Sequence, residues 1–117
     1  MKVIQILSRV YTHDIEAAID FYERLFGEKH QSRFTYAQAG LELARVNSIL
    51  IIAGTDEALA PFRNTSSTFS VDSVEEFKTF LLNNGASIIR DIQQVPTGWN
   101  MTALHKDGFQ VEYVQLK

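Results

Sequence analysis

The chain carries one pattern of apolar and polar positions twice. Residues 12–22 and 71–81 share it, and each stretch is followed a few residues later by a glycine. The matching apolar positions recur at helical spacing: Ile15, Ala18 and Phe21 in the first copy correspond to Val74, Phe77 and Phe80 in the second. A unit of this size that occurs only twice is not a solenoid. It predicts two similar half-folds.

Each copy predicts the same order of elements: strand, helix, strand, strand, strand. β-branched and aromatic runs predict strands, and Asp14 and Ser73 are suitable residues to cap the two helices. Gly27 and Gly85 follow the helical patterns and predict where each helix ends. The predicted strands cover residues 3–12, 31–37, 41–46 and 49–53 in the first copy, and 68–71, 87–92, 100–105 and 110–115 in the second. The pattern therefore predicts an α+β fold of two βαβββ modules.

Length and composition indicate a single domain. The 117 residues are enough for a hydrophobic core, and we place module one at 1–54, a connection at 55–65 and module two at 66–117. The net charge of -3 and the lack of a basic tract argue against nucleic-acid binding. No apolar run approaches the ~20 residues that span a bilayer. The absence of cysteine is compatible with a cytoplasmic protein, which we expect here.

Two stretches resemble the vicinal oxygen chelate superfamily, which includes glyoxalase I, bleomycin-resistance proteins and extradiol dioxygenases. The early stretch has Asp14, then Phe21-Tyr22, then Gly27, and the late stretch runs from His105 to Glu112 through Asp107-Gly108. The resemblance covers essentially the whole chain. It implies a curved mixed sheet of eight strands around a cleft, with the helices on the convex face, and it implies a homodimer.

The resemblance also implies where a metal would bind, because catalytic members hold a divalent ion with His, Gln and Glu side chains. Counting along the strands puts the ligand positions at Leu7, at Ile51 or Ala53, at Ser66 and at Glu112. Hydrocarbon side chains cannot coordinate a cation. Only Glu112 keeps a ligand type, so we expect no metal and no cofactor.

The strand period of two selects the other candidates. If Asp107-Gly108 is a two-residue turn, His105 pairs with Gln110 and Ala103 with Glu112, so alternate residues of that strand share a face with Glu112. If Leu7 faces the cleft, Arg9 and Tyr11 face it too. The candidate ligand-binding residues are Arg9, Tyr11, Trp99, Met101, His105 and Glu112.

Several of these residues have a structural interpretation as well. Arg9 and Glu112 can form an ion pair in the space that a metal would occupy, and His105 can stabilise the hairpin turn. Trp99 is expected on a loop, where it can line a pocket, contact a partner subunit or join the core.

The most economical interpretation is a metal-free protein that binds a small organic molecule, as in the bleomycin-resistance branch. In it, Arg9 would anchor an acidic group and Tyr11 and Trp99 would stack on the ligand. The alternative is a metal-dependent lyase or isomerase of the glyoxalase type with a non-standard site around Glu112. A third hypothesis is a structural or regulatory dimer whose cleft is closed by its own side chains.

Overall fold

The computed structural model describes residues 1–117, and its elements follow the doubled order. The strands are β1 (Val3–Thr12), β2 (Ser32–Tyr36), β3 (Leu41–Val46), β4 (Ile49–Ala53), β5 (Ser67–Val71), β6 (Ser87–Val95), β7 (Gly98–Leu104) and β8 (Gln110–Leu116). The α-helices are α1 (Ile15–Phe26), α2 (Asp56–Leu59) and α3 (Val74–Asn83). The predicted α+β class, with two βαβββ modules and eight strands in a mixed sheet, is confirmed.

The chain forms two compact units. The N-terminal unit is Leu7–Asn64, and the C-terminal unit comprises Met1–Ile6 and Thr65–Lys117. Strand β1 therefore contributes its first residues to one unit and its later residues to the other. The hydrogen-bonded strand order is β2-β3-β4-β1 in the N-terminal unit, and β6-β7-β8-β5 is the corresponding run of the C-terminal unit. In each run the last pair is parallel and the others are antiparallel.

The two long helices begin at the predicted caps. The Asp14 carboxylate accepts a hydrogen bond from the backbone N–H of Ala17, and the Ser73 hydroxyl accepts one from Glu76. These side chains satisfy N–H groups that have no partner within the helix. Helix α1 ends at Gly27, which adopts the left-handed conformation with φ 69°. Local sequence thus sets both helix starts and the end of α1.

Each unit packs its long helix on one face of its strands. In the N-terminal unit, α1 contributes Ile15 and Ile19 to a cluster with Ala44, Val46 and Ile51. In the C-terminal unit, α3 contributes its apolar face to a cluster with side chains from β5, β7 and β8. The buried members of that cluster are Val71, Val74, Phe77, Leu81, Met101, Ala103, Val111 and Tyr113. The opposite face of each unit is thereby left for the candidate site residues. No helix is long and apolar enough to cross a membrane.

Candidate functional site

The pairing of β7 with β8 decides which residues share a face with Glu112. Thr102 pairs with Glu112, and Leu104 pairs with Gln110. The predicted pairing of Ala103 with Glu112 was wrong by one residue, because the hairpin connection is longer than a two-residue turn. The His105 N–H donates to the Phe109 carbonyl at 2.9 Å, so His105 lies at the neck of the connection and not in β7. Since side chains alternate along a strand, this one-residue difference moves every β7 side chain to the other face.

Met101 and Trp99 consequently lie on the helix-covered face of the C-terminal unit. Met101 is fully buried, at 0% exposure, in the cluster beneath α3, and Trp99 packs against the same cluster. Trp99 belongs to β7, so the expectation that it lies on a loop was wrong too. Neither side chain shares a face with Glu112, because each is an odd number of positions from Thr102.

His105 is also directed toward the aromatic side chains of Phe109 and Tyr113. Its Nε2 atom lies 2.6 Å from the Tyr113 hydroxyl, and its ring centroid is 5.8 Å from that of Phe109. Tyr113 is 2% exposed, and burial raises the pKa of its phenol to about 12. A buried hydroxyl is costly without a hydrogen-bond partner. His105 supplies that partner, which agrees with the interpretation of this residue as part of the hairpin structure.

Glu112 lies in a row of side chains that crosses four strands. Arg90 pairs with Thr102, Thr102 with Glu112, and Glu112 with Thr68. The Thr68 hydroxyl donates to Glu112 Oε1 at 3.4 Å, and Arg90 Nη2 lies 3.5 Å from Glu112 Oε2. The Glu112 carboxylate is thus held by a hydroxyl and a guanidinium within its own unit.

Sequence reasoning missed Arg90 for a definite physical reason. A strict period of two would place Arg90 on the face of Ile88 and Ile92, which pack against the helix-covered cluster. Strand β6 has register shifts on both sides of Arg90, between Ile88 and Arg90 and between Arg90 and Gln93. Such bulges re-aim side chains. They turn Arg90 toward Glu112, and no local signal in the sequence marks them.

The same face continues as a set of hydrogen-bonded polar side chains. The Gln93 amide donates to Asn100 Oδ1 at 3.0 Å, and the Gln110 amide donates to Thr65 Oγ1 at 3.1 Å. We call this surface the polar face of the C-terminal unit; it comprises Thr68, Arg90, Gln93, Asn100, Thr102, Gln110 and Glu112. Its side chains carry donors and acceptors of hydrogen bonds, and two of them, Thr68 and Thr102, are buried.

Arg9 and Tyr11 belong to the N-terminal unit, where Tyr11 contacts the chain that follows α2. The Tyr11 hydroxyl donates to the Phe62 carbonyl at 2.5 Å and accepts from Arg9 Nη1 at 3.1 Å. The Arg63 guanidinium carbon lies 5.8 Å from the centre of the Tyr11 ring. Tyr11 therefore holds residues 62 and 63 in place, and Arg9 contacts the Tyr11 hydroxyl.

Residues 55–63, which we call the covering segment, close the face of the N-terminal unit opposite α1. Leu59 is fully buried there and packs in one cluster with Leu7, Leu50 and Ile52, and Phe62 packs against it. The expected position of Leu7 and Tyr11 on one face is confirmed. Ile51 and Ala53 pack with α1 instead, so the β4 residues on the Leu7 face are Leu50 and Ile52.

These side chains do not fit a divalent metal. Leucine and isoleucine stand at the positions of β1 and β4, Ser66 is exposed, and the Glu112 carboxylate already accepts from Thr68 and Arg90. No group of three or more His, Cys, Asp or Glu side chains comes together anywhere in the chain. A hard cation requires several such oxygen or nitrogen ligands around one point.

A separate surface cavity of ≈ 490 Å³ lies in the N-terminal unit and is lined by His13, Gly40, Gly54, Thr55 and Asp56. His13 Nε2 lies 2.6 Å from Asp56 Oδ1, and Arg63 Nη2 lies 3.6 Å from the same oxygen. The hydrogen bond from His13 holds the pKa of Asp56 below its usual value. Both side chains of the pair are mostly exposed, so solvent screens the interaction. This pair fastens the start of α2 to the β1–α1 junction.

Comparison with known structures identifies a close relative of unknown activity. A hypothetical protein from Methanosarcina mazei is 50% identical, with a TM-score of 0.88 over 100% of this chain and 95% of its own. A methylmalonyl-CoA epimerase is 17% identical, with a TM-score of 0.73 over 98% of this chain and 97% of its own. A hypothetical protein from Bacillus halodurans is 19% identical, with a TM-score of 0.72 over 99% and 94% of the two chains.

No protein-family model and no curated protein matches the chain. At 19% identity, the likeness to the Bacillus halodurans protein concerns the fold alone. At 17% identity, the likeness to the epimerase concerns the fold alone.

Proposed function

We propose that this chain, which belongs to the same family as the Methanosarcina mazei protein, is a small-molecule-binding protein that works without a metal. The observation that carries the proposal is the environment of Glu112. Among the positions expected to hold metal ligands, only position 112 carries a coordinating side chain. The Glu112 carboxylate is contacted by Thr68 at 3.4 Å and by Arg90 at 3.5 Å. The ligand is an organic molecule with polar groups, and it binds on the polar face of the C-terminal unit.

The charges around Glu112 disfavour a cation. The guanidinium of Arg90 carries a positive charge, so a divalent ion at Glu112 would face a like charge a few ångströms away. It would also have to displace Arg90 from the carboxylate. The remaining residues on this face, such as Thr102 and Asn100, offer neutral oxygens that bind transition metals weakly.

The same groups suit an organic ligand. Small-molecule sites fix orientation with a few well-placed polar groups. Here Glu112 can accept a hydrogen bond, Arg90 can donate several, and the amides of Gln93 and Asn100 can do both. Of the six residues predicted from sequence, only Glu112 lies on this face. In this proposal Arg90 takes the role that was expected of Arg9.

The alternative, a metal-dependent lyase or isomerase of the glyoxalase type around Glu112, makes an opposite prediction about metal. A methylmalonyl-CoA epimerase from Streptomyces coelicolor has been crystallised with 2-nitronate-propionyl-CoA, but what that protein binds is a property of a chain only 16% identical. The homodimer that the resemblance implies stays a prediction, and light scattering of purified protein tests it.

Elemental analysis and calorimetry test the metal-free proposal. The protein is purified without a chelator and without a metal-affinity tag, and then titrated with Mn²⁺, Co²⁺, Ni²⁺ and Zn²⁺. We expect well under one ion per chain and no saturable binding that depends on Glu112. Stoichiometric metal that is lost in Glu112→Gln would contradict the proposal and support the alternative.

A thermal-shift screen of polar organic molecules tests the binding function. A ligand at about 100 times its dissociation constant stabilises the folded state by ~2.7 kcal/mol. Glu112→Gln should weaken the response, and Glu57→Gln, at an exposed position of α2, should leave it unchanged. If no compound in the library stabilises the wild type more than it stabilises Glu112→Gln, the proposed function is overturned.

A further inference from the structure

We infer that Arg90 is the anchor for a carboxylate on the ligand, and that Glu112 accepts a hydrogen bond from a hydroxyl or amino group of the same molecule. The class of ligand is then a small carboxylic acid with a neighbouring hydrogen-bond donor. This inference rests on the proposed function, because it names the ligand class of the same face.

The first support is the backbone around Arg90. Strand β6 runs from Ser87 to Val95 and changes its register with β7 on both sides of this residue. A strand with regular alternation would bury the guanidinium among the apolar side chains beneath α3. Bulges of this kind are frequent next to binding sites, where they direct one side chain. Because of these two shifts Arg90 lies on the polar face, whereas regular alternation along β6 would place it on the helix-covered face.

The second support is the loose way in which Glu112 holds Arg90. The contact uses one nitrogen, Nη2, at 3.5 Å from Oε2, which is at the outer limit for a hydrogen bond. The Arg90 side chain is 40% exposed, whereas that of Glu112 is 18% exposed. A tight arginine–carboxylate pair has two parallel N–H···O bonds of shorter length. The contact with Glu112 therefore occupies only one of the three nitrogen atoms of the guanidinium.

The third support is the Nε atom of Arg90. This atom is buried and has no hydrogen-bond acceptor in the protein. A buried donor without an acceptor is unfavourable, so a side-chain arrangement in which Nε–H meets an acceptor is favoured. A ligand carboxylate that takes Nε–H and Nη–H together satisfies both donors in the planar geometry that arginine prefers.

The neighbouring charge selects a carboxylate over a phosphate. Glu112 remains beside Arg90 and repels a second negative group, and the repulsion grows with the charge of the ligand. A monoanion whose adjacent hydroxyl or amine donates to Glu112 converts that repulsion into a hydrogen bond. A dianion that carries only hydrogen-bond acceptors cannot donate to Glu112, so nothing offsets the repulsion. We therefore expect discrimination against inorganic phosphate.

The test follows the Nε–H signals of arginine side chains by ¹H–¹⁵N NMR of the whole chain. The probes are lactate and mandelate, their neutral amides, and inorganic phosphate. We expect the two acids to shift the Arg90 Nε–H signal, and the amides and phosphate to leave it in place. Arg90→Met should weaken acid binding roughly tenfold to a hundredfold, since it removes charge-assisted hydrogen bonds. Arg24→Met, on the exposed side of α1, is the matched control and should bind as the wild type does.

The outcomes separate the inference from the proposed function. If acids and amides bind equally well, and Arg90→Met binds both, the role of Arg90 is overturned while small-molecule binding stands. If phosphate binds more tightly than the acids, the ligand class is overturned. If none of the probes perturbs Arg90, the inference is overturned, and the Glu112-dependent library screen decides the proposed function on its own.

Discussion

Thr102 of β7 lies opposite Glu112 of β8, and this single pairing places Met101 beneath α3. Met101→Ala should therefore behave as a core truncation and lower the free energy of unfolding by about 2–5 kcal/mol. Asn100→Ala changes the neighbouring residue on the polar face and should cost only about 0.5–1.5 kcal/mol, the value of its hydrogen bond with Gln93. Urea unfolding of both variants measures the difference. Equal losses would contradict the register.

The covering segment depends on Leu59 and on the Tyr11 hydroxyl. Leu59→Ala should cost about 2–5 kcal/mol because it empties a fully buried position. Tyr11→Phe should cost about 1 kcal/mol, since it removes the hydrogen bond to the Phe62 carbonyl.

Amide hydrogen exchange locates the effect of Tyr11→Phe. The N–H groups of Phe62 and Arg63 both donate to the Leu59 carbonyl, so they report opening of the covering segment. Their exchange should be faster in Tyr11→Phe than in the wild type. Tyr36→Phe, on the exposed strand β2, serves as the control. A Tyr11→Phe protein with unchanged exchange at these two amides would show that the hydroxyl does not hold the segment.

Tyr113 predicts a loss of stability in alkali. Burial raises the pKa of its phenol from 10.0 to about 12 in the folded protein. A folded-state pKa above the unfolded value means that the contribution is complete below pH 10.0 and is lost as pH rises to about 12. The shift corresponds to about 3 kcal/mol, at ~1.36 kcal/mol per pKa unit.

Denaturant unfolding across this alkaline range measures the loss. Tyr113→Phe should be less stable at neutral pH, because His105 loses its partner, yet its stability should fall less steeply in alkali. An equally steep fall in the variant would assign the alkaline loss to other groups. Tyrosinate absorbance provides an independent check, since the Tyr113 phenol should ionise at about pH 12 and its contribution should be missing in Tyr113→Phe.

Gly98 and Gly108 should differ sharply in their tolerance of alanine. Gly98 has φ +150°, and a Cβ there would lie 2.0 Å from the Gln115 carbonyl oxygen. Gly98→Ala should cost about 3 kcal/mol or more, because the backbone of β8 must move. Gly108 has φ +94°, and no atom lies within 4 Å of the place that a methyl group would take, so Gly108→Ala should cost only about 1–2 kcal/mol of backbone strain. Thermal unfolding of the two variants compares them directly, and similar midpoints would refute the close approach at Gly98.

The amino-acid sequence by itself determined the features that rest on local interactions. Asp14 and Ser73 cap the helices, Gly27 ends α1, and the repeated apolar pattern gives two βαβββ modules. The sequence likewise shows that position 7 carries a leucine, which cannot coordinate a metal, and that position 112 carries a glutamate, which can. These features follow from side-chain chemistry and from contacts between residues a few positions apart.

The tertiary structure alone decided which side chains meet. The length of the β7–β8 connection fixes a register that moves Trp99 and Met101 away from Glu112, and the bulges in β6 bring Arg90 to it. The packing of Leu59 over Leu7 closes the opposite face of the N-terminal unit. A one-residue change in register reverses the two faces of a strand while the sequence pattern stays the same, because alternation has a period of two. For that reason the fold was accessible from the sequence, whereas the partners of Glu112 were not.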